Sequence, residues 1–221
     1  MLAATAEPRP SSPVSFKTFN RNISNNPRNT LIIWVTGTPG VGKTATGREL
    51  AKRLGIGFID LPEYVSMNNL YKERLEDGTM VVESRRLAQH LSKHVKGDTV
   101  IAGHITVKVR GHETRCVVLR LNPLQLRERL EERGYSVEKV AENVEAEFLG
   151  VVYLDALRVF GKNRVSQIDV TGKEASDVVN RCVDVLEGRD AGDDVEWMSR
   201  LDEAAVSQLL RYLSTTKSRI L

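Results

Sequence analysis

The residues best suited to chemistry lie in one run, Leu31 to Thr44, which reads Leu-Ile-Ile-Trp-Val-Thr-Gly-Thr-Pro-Gly-Val-Gly-Lys-Thr. Its second half, Gly37-Thr38-Pro39-Gly40-Val41-Gly42-Lys43-Thr44, sets four residues between Gly37 and Gly42 and follows the second glycine with a lysine and a hydroxyl residue. Glycines allow the backbone to close round an anion, and the loop amides add to the positive end of the helix that follows. Lys43 then reaches the outer phosphates of a nucleotide, and the Thr44 hydroxyl serves as a magnesium ligand. A chance glycine turn would lack the flanks. Here the apolar run Leu31–Val35 reads as a strand buried on both faces, and the amphipathic stretch Ala45–Leu54 as a helix. The expected chemistry is that of a nucleoside triphosphate.

The elements that must position this loop follow in alternation. Gly57–Asp60, Thr99–His104, Cys116–Arg120 and Val165–Val170 read as further strands. Between them, helical spacing appears over Glu83–Val95, Pro123–Gly134, a long segment Val137–Phe160, and Ala175–Leu186, whereas residues 63–80 read as irregular. Alternating strands and helices imply an α/β domain with a parallel sheet covered on both faces. Ligands of such sheets bind beyond the carboxyl ends of the strands. The phosphate loop, Asp60, His104, Arg120 and Thr171 all close or follow strands, so they can converge there. Arg129 and Arg133, four apart on a helix, present both guanidinium groups on one face, although charges on such a helix commonly pair with neighbouring glutamates.

Composition narrows the remaining possibilities. The 221 residues suffice for one good-sized domain, and no apolar run approaches the roughly 18 residues of a membrane span. Cys116 and Cys182 are too few for a disulfide framework or a zinc site and suit a reducing compartment. His90 and His94 have a metal-compatible spacing but lack a third ligand nearby, so they read as surface histidines. The formal net charge of +3 is carried by residues 1–30, and the rest balances, which does not describe a nucleic-acid binder. Residues 1–29 therefore read as a flexible basic extension, with a transit peptide as the sharper alternative. Residues 30–188 read as the domain, and 189–221 as an extension ending in an amphipathic helix with Leu201, Ala205, Leu209, Leu210 and Leu213.

Three segments together resemble one family. The phosphate loop, Glu128-Arg129-Leu130-Glu131-Glu132-Arg133-Gly134-Tyr135 and Glu142-Asn143-Val144-Glu145-Ala146-Glu147 are similar to the adenylate-kinase-like ribosome-maturation ATPases, known in eukaryotes as adenylate kinase isoenzyme six. The similarity runs from about Leu31 to Leu186 and includes Gly103-His104 and Ile168-Asp169-Val170-Thr171. The resemblance implies a P-loop nucleoside-kinase fold with a five-stranded parallel sheet, a nucleoside-monophosphate arm and a short lid. It also implies ATP and magnesium (Mg2+), AMP as a possible acceptor, and a small-subunit ribosomal protein of the platform region as partner. Any RNA contact would be indirect, no membrane is involved, and the location would be cytoplasmic, or nuclear in a eukaryote.

Carried onto this sequence, the resemblance makes Gly37, Thr38, Pro39, Gly40, Val41, Gly42, Lys43 and Thr44 the phosphate cradle. Arg129 and Arg133 become lid residues, Thr171 and Gly172 part of the nucleotide site, and Lys43, His104 and Arg133 the candidate catalytic set. Two positions depart from the pattern. Ala102 stands where the family has an acidic residue two before the histidine, leaving Thr44 and Asp60 as the expected magnesium anchors. Ser66 stands near where adenylate kinases grip the acceptor phosphate with arginine, and no arginine follows until Arg74, with Arg85 and Arg86 beyond it as candidate replacements. Three functions stay open on this basis: a nucleotide kinase, an assembly factor gated by ATP, and a kinase for another small acceptor.

Overall fold

In β1 (Thr30–Thr36), alternate side chains enter different cores: Ile33 and Val35 pack to one side, Ile32 and Trp34 to the other. A strand buried on both faces must be central, and β1 is. The computed structural model describes residues 30–75 and 78–220. The proposed extension 1–29 lies outside the described residues. The main sheet has the order β2 (Gly57–Asp60), β5 (Thr99–Ala102), β1, β6 (His112–Arg120), β7 (Val165–Asp169), and every neighbouring pair is parallel. This is the five-stranded α/β arrangement of P-loop kinases.

Parallel neighbours require crossovers, and the crossover helices cover both faces. On one side lie α1 (Lys43–Leu54), α4 (Pro123–Glu132), α5 (Val137–Phe148) and α7 (Ala175–Leu186), burying Leu50, Leu126, Leu130, Val144 and Val179. On the other lie α2 (Leu61–Met67), α3 (Ser84–His94) and α6 (Val151–Phe160), contributing Val65, Leu87, Leu91 and Phe160. Both cysteines are buried and unpaired. His90 and His94 stack with ring centroids 4.0 Å apart, Tyr64 Oη lies 3.0 Å from His90 Nδ1, and no third ligand joins them among the described residues.

Three elements differ from the sequence expectation. Residues 63–80 are not irregular: α2 opens on Leu61, and an antiparallel hairpin follows, β3 (Tyr71–Arg74) with β4 (Met80–Val82). Pro62 in the first turn suits a helix start, and Leu61 and Val65, one turn apart, are both buried by the domain, so tertiary packing stabilises a seven-residue helix with little periodicity of its own. The long helix expected over 137–160 is two helices. The chain turns at Gly150, whose φ of 67° is left-handed and favours a residue without Cβ. The fourth strand starts at His112 rather than Cys116, because it pairs with β1 along that strand's full length.

Past β7 and α7, a segment containing Val195 and α8 (Trp197–Arg200) leads to α9 (Glu203–Ile220), which packs on α5 and α4 with Leu209 and Leu213 buried. No helix among the described residues is long and apolar enough to cross a membrane.

Candidate active site

The phosphate loop joins β1 to α1. At Gly37 the backbone takes φ 145°, and a Cβ there would lie 2.4 Å from the Leu119 carbonyl oxygen and 2.9 Å from Val41 Cγ2. Only glycine allows the loop to fold this tightly onto β6. Helix α1 begins at Lys43, two residues earlier than its amphipathic pattern indicates, and no acidic residue occupies its first turn. Its amino end therefore keeps its full attraction for an anion. Pro39 and Gly40 are half-buried, Val41 anchors the loop in the core, and the Thr44 residue is exposed at the start of the helix.

Lys43 Nζ donates to the Thr38 carbonyl at 3.0 Å, so the lysine lies folded across its own loop. Desolvation by the surrounding atoms lowers its pKa to about 8; the negative charges of Glu147 and Asp60 oppose that shift, and the positive charge of Arg133 adds to it. These couplings place Asp60, Arg133 and Lys43 within one field, as the convergence of strand ends requires. Asp60 is the last residue of β2 and pairs in register with Ala102 on β5, one strand spacing away, about 4.8 Å. Ala102 is fully buried, and a Cβ placed on Gly47 of α1 would lie 3.1 Å from its own. The strand end is packed tightly at the position where the resemblance leads one to expect a carboxylate, and Asp60 supplies one from the adjacent strand. Oxygen ligands on a site that also holds phosphates are what magnesium takes, and the Thr44 hydroxyl with the Asp60 carboxylate fits that requirement.

His104 follows β5 and stands exposed at a recess of ≈ 310 Å³ lined by Leu61, Pro62, Val65, Met80, Val82, His104 and Ile105. Desolvation and then the charges of Lys43 and Lys139 lower its pKa, so the ring is neutral at neutral pH and able to accept a proton. His104 thus links the recess to the field of Lys43, and among the described residues no lysine or arginine lines that recess. Ser66 is half-buried on α2, and Arg74, Arg85 and Arg86 are exposed. The recess itself is walled mostly by apolar side chains.

The lid candidates sit at the end of α4. Asn122 caps this helix, its side chain accepting from Leu124 N at 2.9 Å, with Pro123 in the first turn. Arg129 is half-buried within α4, while Arg133, at its C-cap, is exposed. Glutamate pairing on this helix is taken by Arg127, whose Nε lies 2.7 Å from Glu131 Oε1. Neither Arg129 nor Arg133 forms an ion pair among the described residues. Thr171 uses its hydroxyl to accept from Asn122 N at 3.0 Å, tying the turn after β7 to the start of α4. Gly172, with nothing within 4 Å of a notional Cβ, faces open space.

Arg120 behaves differently from the other strand-end residues. It closes β6, yet its side chain is buried and paired with Glu147 of α5 rather than presented to a ligand. The sequence carries a signal for this partner: Glu147 falls on the same helical stripe as Val140 and Val144, and a carboxylate there must be buried and paired. Trp197, which donates to the same carboxylate, carries no comparable signal.

A β-strand, glycine-rich loop and helix on a parallel sheet, with a lysine, a carboxylate, a histidine and an arginine gathered around the loop, define a P-loop kinase-type protein. The family model described as "AAA domain" matches residues 33–150. The chain is 36% identical over 157 residues to a Pyrococcus furiosus protein named "Putative adenylate kinase", covering 71% of this chain and 84% of that one. To proteins of the same name it is 38% identical over 158 residues in Thermococcus gammatolerans, covering 71% and 86%, and 32% identical over 169 residues in Saccharolobus solfataricus, covering 76% and 88%. The chain belongs to this adenylate-kinase-like family.

Proposed function

We propose that the protein binds ATP with magnesium and transfers the γ-phosphoryl group chiefly to water, with AMP as a secondary acceptor. The observation that carries this is the pairing of a complete phosphate cradle with an acceptor recess that no cation lines. Phosphoryl transfer demands positioning and charge neutralisation more than covalent chemistry. The amides of Gly40 to Thr44 and the α1 dipole bind the β-phosphate, and Lys43 swings from the Thr38 carbonyl to the β/γ oxygens. Thr44 and Asp60 would hold magnesium, which would supply charge neutralisation for the transferred phosphoryl group. Arg129 and Arg133 cover the nucleotide from α4, and the turn Thr171–Gly172 borders the base. Neutral His104, beside the recess and within the field of Lys43, orients the attacking water. A monophosphate acceptor needs guanidinium contacts, and the apolar wall from Leu61 to Ile105 offers none.

The biological setting proposed is small-subunit ribosome maturation, in which the ATP cycle gates binding of a platform ribosomal protein in the cytoplasm, or in the nucleus of a eukaryote. The similarity of Arg133-Gly134-Tyr135 and Asn143-Val144-Glu145-Ala146-Glu147 to that branch supports it. Balanced charge outside residues 1–30 favours RNA contact through a basic partner rather than directly.

Following ATP, ADP and free phosphate separately, with and without AMP, tests the chemistry. Phosphate release that proceeds without AMP and falls only slightly in its presence is expected. ADP forming at twice the rate of ATP loss, only with AMP and without free phosphate, would make the protein a nucleotide kinase instead. Acceleration of phosphate release by the purified platform protein would support the gating role, and indifference to it would remove that role.

A further inference from the structure

Beneath the phosphate loop, one carboxylate collects four donors from three parts of the chain. Glu147 Oε1 accepts from Arg120 Nε at 2.8 Å, from Leu121 N at 3.2 Å and from Trp197 Nε1 at 3.0 Å. Glu147 Oε2 accepts from Thr38 Oγ1 at 2.5 Å. The Arg120 guanidinium also donates to the Glu147 carbonyl at 2.8 Å, to Gln167 Oε1 at 2.5 Å and to the Val195 carbonyl at 3.2 Å. The two charged side chains are only 3% and 2% exposed. A buried ion pair of this kind is weak evidence for stability, since well-packed apolar residues of similar volume often do as well or better. Its geometry points elsewhere, to the middle of the phosphate loop.

Thr38 has two attachments with different fates. Its carbonyl receives Lys43 Nζ, a bond that must break when the lysine turns to a phosphate. Its hydroxyl, on a residue 1% exposed, is bound to Glu147 and need not move. We propose that Glu147 is a positioning residue of the phosphate loop, acting through the Thr38 hydroxyl, and that Trp197 of the C-terminal segment holds it in place. This deepens, and rests on, the reading of residues 37–44 as an ATP cradle. Loop amides fixed in advance bind developing charge without reorganising at the moment of transfer. The segment after α7 thereby becomes part of the support of the site, although it touches no nucleotide.

The experiment compares full-length Thr38→Val, Thr38→Ser, Trp197→Phe and the Thr38→Val/Trp197→Phe pair. ATP·Mg2+ binding is measured by calorimetry, phosphate release gives kcat, and thermal melts report the folded fraction. Thr38→Val keeps the shape and removes the donor; kcat should fall roughly tenfold or more, with a smaller change in ATP affinity. Thr38→Ser should recover most of kcat. Trp197→Phe should lower kcat in the same direction, and the pair should be no worse than Thr38→Val, because both act through one carboxylate. Unchanged kcat in folded Thr38→Val, or effects of the two substitutions that multiply, would overturn the proposal. Should Thr38→Val not fold, Trp197→Phe decides alone: a kcat equal to wild type overturns the proposal. Failure of the unaltered protein to bind ATP·Mg2+ would overturn the cradle reading itself, a distinct result.

Discussion

At the scale of single residues, the site depends on a few charges whose protonation follows from their surroundings. Lys43 is desolvated by its own loop, and its pKa stands near 8. The protonated form binds phosphate, so kcat/KM for ATP in the free protein should be level from neutral pH up to that value and fall about tenfold per pH unit above it. A profile level to pH 10 would show that the lysine is not the cation required. Lys43→Ala should cost at least about 100-fold in turnover, the scale seen when one preorganised donor to developing charge is removed; phosphate-release kinetics on the folded variant provide the check. His104, neutral because desolvation and the lysines nearby disfavour its charged form, is the proposed water-orienting acceptor. His104→Ala should lower kcat roughly 100-fold and leave ATP affinity nearly unchanged. An equal loss in both would make it a ground-state contact.

At the scale of elements, the turn between α5 and α6 shows how a local conformation serves a distant charge. Gly150 adopts φ 67°, and a Cβ there would stand 3.6 Å from both terminal nitrogens of Arg120. The left-handed turn lets α5 end while bringing the Glu147 carbonyl to Arg120 Nη2. Gly150→Ala has little steric conflict to relieve, so its cost is conformational, about 1–3 kcal/mol. Urea denaturation should show a lower midpoint with an unchanged slope. A midpoint equal to that of the unaltered protein would mean that the turn relaxes freely. The same logic applies to α2, where a short helix exists because the recess and core need Leu61 and Val65 on one side.

At the scale of the whole molecule, the C-terminal segment is integral to the domain. Helix α9 lies across α5 and α4, and Arg127 of α4 sits 4.0 Å from the Tyr212 ring centroid in a cation–π contact. Leu209 is fully buried in the same core as Leu130 and Val144. Leu209→Ala should therefore destabilise the protein by about 2–5 kcal/mol, through lost transfer energy and the cavity left behind. Thermal or urea unfolding measures this directly. A near-neutral result would mean that the helix undocks in solution and presents its apolar face to a partner.

Sheet and cradle are legible in the chain alone. Residues Leu31–Val35 and Gly37–Thr44 specify strand, loop and helix through local patterning and glycine sterics, which act within a few residues and are therefore legible in one dimension. The sequence also placed Asp60, His104 and Arg133 at strand or helix ends, where the lysine's electrostatic surroundings now locate Asp60 and Arg133, and the recess locates His104. Only the tertiary structure decided the rest. Helix α2 and the β3–β4 hairpin form where local periodicity is weak, because burial and strand pairing stabilise them from outside. The break at Gly150 interrupts a continuous helical pattern; the left-handed glycine permits it, and the bond from Arg120, on a distant strand, to the Glu147 carbonyl holds it. The meeting of Thr38, Arg120, Glu147 and Trp197 spans 159 positions from the first to the last of them, and a hydrogen-bond network of that reach exists only once the sheet has brought its members together.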